Sequence, residues 1–368
     1  MKKKLLAGAF LAVLLLGTAA MLGAGGSDPL ISLSFLQGQF TSELDAERDR
    51  KLDQADASVR ETVDKRIEAM KSAAGAPGQG YVPAPVEAQL KKGDVLSGTT
   101  GLMVTHLGGT VRLDLSYGAV VDVTVGKEIP SGTELIPMHR YLVAEETAAS
   151  FTVTSPTAVL NHQGNCDIAY SQEQDYWSVA KALRELTLFR GSDTGFGEGF
   201  DLHMAPTRAQ GIIMFIRLMG EEREAMACTY SHPFTDVPKW MDRYVAWAYE
   251  KGYTNGVSPT KFGSTQTVSA EEYMEFLLRA LGYSTAGVDD YLTSPDRALS
   301  LGILTGGEYH MLKNEPFLRA QAAYVSYYAL DALSADGVTL AQKLMDKGIF
   351  TFQQMDAARN VIRSSRIN

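Results

Sequence analysis

Two short stretches put an arginine at the opening of an apolar helical pattern: Thr207-Arg208-Ala209-Gln210 and Leu318-Arg319-Ala320-Gln321. The first turn of a helix leaves backbone N–H groups unpaired and carries the positive end of the dipole, so it favours an anion. Thr207 is a suitable hydroxyl cap, and Gln210 and Gln321 stand where a capping-box side chain reaches back to the chain. A guanidinium at such a start can hold a carboxylate through two parallel hydrogen bonds. Arg208 and Arg319, with Thr207, Gln210 and Gln321 beside them, are therefore candidate contacts for an acidic ligand, with solvated helix-start residues as the alternative for the arginines. Asp175, Asp236 and Asp290 read as helix caps first and ligand contacts second. Trp240 reads as a core residue, with stacking on a sugar face as its alternative.

The elements that would position these residues repeat. Gly191, Gly256 and Gly306 each follow a helical pattern, and a second helix opens 12 to 16 residues later, at Thr207, Ser269 or Leu318. Apolar residues then recur at offsets of five, nine and twelve: Ile212, Ile216 and Met219; Met274, Leu278 and Leu281; Ala323, Tyr327 and Leu330. Such a stripe buries one face of each second helix. Units one and three also share Asp175-Tyr176 and Asp290-Tyr291, sixteen residues before their glycine. One helix-loop-helix unit is too small to bury its own stripe, and three together make a core.

The middle unit reads Phe234-Thr235-Asp236-Val237-Pro238, then Trp240, Gly252-Tyr253-Thr254-Asn255-Gly256, Phe262 and Val268-Ser269-Ala270-Glu271-Glu272. That order resembles the S-layer homology (SLH) module, which pins exported proteins of Gram-positive, clostridial-type bacteria to cell-wall polysaccharide. The resemblance covers about residues 175–333 and implies a pseudo-threefold bundle with ligand grooves between units. It also implies a ligand, a polysaccharide whose sugars carry a pyruvate ketal. The family's motif at the second helix is Thr-Arg-Ala-Glu; here its glutamate is Gln210 and Gln321, and its arginine is Ala270 in unit two. Two charged grooves are thus expected, with the middle one weakened or empty.

Lys2, Lys3 and Lys4 precede an apolar run from Leu5 to about Gly26, the pattern of a secretory signal. Retained, that run would be a membrane anchor, and the molecule a tether from membrane to wall. A net charge of −9 argues against nucleic acid as a partner. The two cysteines, Cys166 and Cys228, bracket the first helical unit and are candidates for one disulfide in an oxidising compartment, with two free thiols as the equal alternative. The six histidines lack metal-ligand spacing, and no nucleophile elbow or phosphate loop occurs, so neither an enzyme nor a cofactor is expected. Gly195-Phe196-Gly197-Glu198-Gly199 lacks a dinucleotide fingerprint and reads as a flexible connection. His139 with Glu145 or Glu146 is a conceivable acid–base pair.

Residues 27–74 read as a helical stalk, with Leu52, Val59, Val63, Ile67 and Met70 on a thin apolar seam. Residues 75–85, dense in Pro and Gly, read as a linker. From 86 to 165 the pattern switches to period two with glycine turns, as in Thr110-Val111-Arg112-Leu113-Asp114-Leu115, which predicts a small all-β sandwich or barrel of six to eight strands. The expected chain is then signal or anchor (1–26), stalk, linker, β domain, three helical units within 166–335 (about 170–225, 232–285 and 286–335), and a helical tail (336–368). Its expected role is attachment at the cell surface, with a ligand-binding or assembly β domain on a degenerate scaffold as the alternative; the partner of the β domain is unknown.

Overall fold

The computed structural model describes residues 41–73, 81–192, 194–283 and 293–368. The N-terminal apolar run, Asp290 and Tyr291 lie outside the described residues. The chain forms two compact bodies, Met1–Gly75 and Ala76–Asn368. In the first, α1 (Thr41–Ala73) is one long helix. Its surface is laced by pairs one turn apart, Arg60 with Asp56 at 2.8 Å and Lys65 with Glu61 at 2.7 Å. Leu52, Val59 and Val63 are exposed along it. Among the described residues no helix is long and apolar enough to cross a membrane.

The second body opens with nine strands: β1 (Tyr81–Lys91), β2 (Val95–Thr99), β3 (Met103–Gly108), β4 (Val111–Leu115), β5 (Ala119–Asp122), β6 (Lys127–Ile129), β7 (Arg140–Ala144), β8 (Ala148–Val153) and β9 (Thr157–Ala169). The neighbour order is β4-β8-β2-β9-β3-β7-β5-β6, with β1 paired to β9. Strand β9 organises the domain: its first half pairs with β1 and β3, and its last residues pair with β2. The bend falls at Gly164, whose φ is +109° and where a Cβ would lie 2.9 Å from the Gly101 carbonyl, so no side chain fits. Residues 132–139 run from the edge of β4, where Leu135 N–H donates to Val111 O at 2.8 Å, to β3, where His106 N–H donates to His139 O at 3.0 Å. The result is a half-barrel or sandwich around Leu96, Val104, Leu113, Tyr141, Phe151 and Leu160.

Two expectations are corrected here. Among the described residues there are nine strands rather than six to eight, and β1 begins inside the stretch read as linker. Pro83 and Pro85 lack a ladder N–H, yet β1 lies at an edge and its register shifts between Val82 and Val86, the arrangement in which a strand accepts proline.

The remainder is helical: α2 (Tyr176–Glu185), α3 (Arg208–Leu218), α4 (Glu222–Ala227), α5 (Asp242–Glu250), α6 (Ala270–Ala280), α7 (Ser294–Ser300), α8 (Gly306–Asn314), α9 (Arg319–Tyr328), α10 (Leu340–Asp346) and α11 (Phe352–Val361). All nine stripe residues of the three second helices, α3, α6 and α9, are buried in one core. At roughly 1.5–3 kcal/mol per large buried side chain, that packing outweighs caps worth about 1 kcal/mol each. Leu340, Leu344, Phe350, Met355 and Ala358 join the same core, so α10 and α11 complete the bundle. The chain end is held too: Ile367 N–H donates to Tyr324 Oη at 2.7 Å, and Arg366 pairs with the buried Glu308 at 2.8 Å.

The β domain and the helices meet in a bonded seam. Trp177 Nε1 donates to Leu90 O at 2.8 Å, Gly197 N–H to Glu87 Oε1 at 3.1 Å, and Ser171 N–H to Asp94 Oδ1 at 2.7 Å. The glycine-rich stretch 195–199 is part of this seam rather than a flexible connection. A Cβ on Gly197 would press on Trp177 and Val159 at 3.1 Å. Glu198 takes Lys181, Arg184 and Gln89; burial pushes its carboxyl pKa up, but these partners outweigh burial and hold it below its usual value.

Candidate functional site

Helix α3 starts as its sequence predicts. Thr207 has extended backbone, its hydroxyl accepts from Gln210 N–H at 3.2 Å, and Gln210 Oε1 accepts from Thr207 N–H at 3.0 Å. The next two donors, however, are already taken. Arg208 N–H reaches Gln266 O at 2.7 Å and Ala209 N–H reaches Ser264 O at 3.3 Å, both on the loop before α6. Helix α9 repeats the arrangement on the loop before α3: Arg319 N–H donates to Met204 O at 2.8 Å and Ala320 N–H to Leu202 O at 3.1 Å. Gln321 Oε1 accepts from Leu318 N–H at 3.1 Å. Helix starts whose donors end on a docked loop have little left for an anion.

The arginines follow their helices inward, and each residue is only 5% exposed. Arg208 Nε donates to Phe262 O at 3.0 Å, its Nη1 pairs with Glu272, and its guanidinium lies over Phe262 and Phe276 at 5.3 and 6.0 Å. Arg319 Nε donates to Phe200 O at 2.8 Å, Nη1 reaches Met214 Sδ at 3.7 Å, and the guanidinium lies over Phe189 at 5.5 Å. Burial draws the Arg319 pKa below its ordinary value, with the Asp201 charge opposing. Two arginine-lined grooves at these helix starts are therefore not formed; both side chains clasp one part of the bundle to another. At α6 Ser269 and Glu272 form the capping box, Ala270 replaces arginine, and no acceptor from another loop among the described residues meets the first helical N–H groups. This start faces a groove of about 430 Å³ lined by Glu271, Glu315 and Lys313, a charge balance that disfavours an anion.

The remaining candidates separate. Asp175 caps α2, accepting from Ser178 N–H at 3.1 Å. Asp236 binds backbone with both oxygens, Phe262 N–H and Gly263 N–H at 2.8 Å each. Trp240 is not core: it precedes α5 in a turn and is 64% exposed, while the adjacent Met241 takes the buried position at the start of the helix. Cys166 and Cys228 are both free, so no disulfide joins them. Cys166 Sγ instead lies 3.1 Å from His162 Nδ1, where burial and then Asp167 push the thiol pKa up, opposite to what a nucleophile needs. His139 pairs with the buried Asp122 at 2.7 Å rather than with Glu145 or Glu146. Among the described residues no three His, Cys, Asp or Glu side chains converge as for a metal.

A different cluster, at the opposite end of α3, was not anticipated. Glu222 accepts from Arg217 Nε and Tyr244 Oη, each at 2.8 Å, and pairs with Arg190 Nη1 at 3.2 Å. Burial alone pushes the Glu222 pKa up; the bonds from Arg217 and Tyr244 and the two positive charges more than offset it and keep the carboxyl ionised. With Arg223 these side chains border an open groove of about 480 Å³. Three arginines face one carboxylate there. In sequence Arg190, Arg217 and Arg223 are scattered among helix ends, and only the turn after α2 brings Arg190 beside α3.

No family model matches the chain, and the comparison with curated proteins gives no match. Among solved structures the chain is similar to a crystal structure of the coconut allergen cocosin, at 11% identity over 30% of this chain and 36% of that one, so the match spans about a third of the allergen. With a TM-score of 0.15, that likeness carries no argument about fold or function.

Proposed function

We propose that this protein attaches non-covalently to an anionic polysaccharide of the cell envelope through three SLH-like units in pseudo-threefold arrangement, and displays the β domain. The supporting observation is a spacing, from the end of a first helix to the start of a second, that recurs with small variation. The first helices end alike, with positive φ at Thr187, Gly252 and Gly302 (63°, 70° and 69°). The next residue closes a six-to-one hydrogen bond each time, Leu188 to Leu183 O, Tyr253 to Ala248 O and Ile303 to Ala298 O, an ending that α3, α6 and α10 share. Gly191, Gly256 and Gly306 follow four residues after these positions, and the second helices then open at Thr207, Ser269 and Leu318; the third unit departs from the expected loop, because Thr305 caps a helix there and Gly306 opens α8 instead of ending a helix. The apolar N-terminal run is read as the export signal. Co-sedimentation of the full chain with Gram-positive sacculi, before and after chemical removal of their secondary polymer, tests the proposal. Binding that needs the polymer is expected; equal binding to stripped sacculi, or none to intact ones, would sink it.

A further inference from the structure

We propose that the groove at the C-terminal end of α3 binds a carboxylate-bearing saccharide, with Arg190 and Arg223 as its contacts and Arg217, Glu222 and Tyr244 as the frame behind them. The proposal rests on the attachment reading above, for which it supplies a site.

Charge comes first. Glu222 is shared between Arg190 and Arg217, so the groove keeps a surplus of positive charge on a chain whose net charge is −9. The surplus is accessible: the Arg190 and Arg223 side chains are 58% and 93% exposed, and the nearest carboxylate of Arg223, on Glu224, stands at 3.7 Å. Arg217 is the inner member, held by Glu222 through its Nε. A volume of about 480 Å³ is within the range of small-ligand clefts, and Met226 and Ile349 give it an apolar border against which the C–H face of a sugar ring can rest.

The backbone supplies an independent observation. Thr187 lines the same groove at φ 63°, whereas the equivalent helix ends carry glycine at 252 and 302. A β-branched residue is strained in that region, which glycine enters freely. Strain of this kind persists only where the surroundings fix it, and here it falls on the border of the arginine groove.

The test is calorimetric titration of the purified full chain, kept in mild detergent, with trigalacturonate, with neutral maltotriose and with inorganic phosphate. Trigalacturonate should bind, maltotriose should not, and phosphate should bind more weakly. Arg190→Ala/Arg223→Ala should lose about tenfold or more in trigalacturonate affinity, while Arg112→Ala/Arg140→Ala, on the β domain, should match the parent. Thermal midpoints of both double variants should be unchanged, since the substituted side chains are exposed. An unaltered affinity in the first variant, or phosphate binding as tightly as the saccharide, overturns the proposal. Sedimentation of the same proteins with sacculi separates the two readings. A parent that binds trigalacturonate but not sacculi leaves the groove standing and removes the attachment role. A parent and variant that sediment equally, with no trigalacturonate binding, leave attachment standing and remove the groove.

Discussion

At the first turn of α3, Arg208 is buried between two phenylalanine rings and a backbone carbonyl; near its last turn, Arg217 keeps 21% of its side chain exposed beside a groove with more arginines than carboxylates. The same residue type on one helix therefore meets opposite environments. At the start, a loop from the next unit brings carbonyls to the N–H groups and the guanidinium, and the helix's affinity for negative charge is consumed within the fold. At the end the turn after α10 packs on Gly220 through Ile349 but leaves the arginines exposed, and Glu222 neutralises only part of their charge. An arginine near a helix start is evidence of a ligand only if nothing from the same chain has docked there.

The largest effect expected from breaking this contrast is in stability. Arg208→Ala and Arg319→Ala each leave a buried carbonyl without its donor and a gap between aromatic rings, and the first also strands Glu272; each should cost about 3 kcal/mol. Urea titration checks this, and a loss below 1 kcal/mol would mean that the clasps contribute little to the fold. Saccharide binding of the folded fraction should stay at the parent level.

Histidine sharpens the comparison, because it can shed its charge on burial where arginine cannot. Burial lowers the pKa of His106, His162 and His203 from 6.5. The unfolded chain then binds more protons below about pH 6.5, so stability should fall as pH drops from 7 towards 5, by up to about 1.4 kcal/mol per pH unit for each histidine. His106→Leu should flatten that slope in calorimetry across the same pH range. An unchanged slope would show that His106 takes up its proton equally in the folded and the unfolded chain.

Thr187→Gly should raise stability by about 1 kcal/mol by relieving the positive φ, while weakening trigalacturonate binding through loss of the hydroxyl. A stabilised variant with parental affinity would reduce Thr187 to a strained turn. The smallest effect is expected for Trp240→Ala, within about 0.5 kcal/mol in stability; a larger loss would mean that the indole packs as core after all.

Much of the scaffold was legible. Period-two runs became strands such as β4 and β8, and the offsets of five, nine and twelve became the buried stripes of α3, α6 and α9. The capping boxes at Thr207 and Ser269 are local, spanning three residues, and so could be read directly. The candidate site was legible only as residue types. Arg208 and Arg319 stood out by position in a motif, but their burial depends on loops that end at Gln266 and Met204, and a sequence pattern carries no information about which loop docks where. Edge placement of β1, which makes Pro83 and Pro85 acceptable, has the same origin.

The sequence by itself determined where α3, α6 and α9 begin and which of their faces are apolar, because capping and hydrophobic period act over a few residues; Gly306, read as a helix end, opens α8. Only the tertiary structure decided which arginines are spent and which are exposed. That outcome depends on carbonyls and carboxylates contributed from far along the chain: Phe262 O to Arg208, Phe200 O to Arg319, and a single Glu222 shared by Arg190 and Arg217.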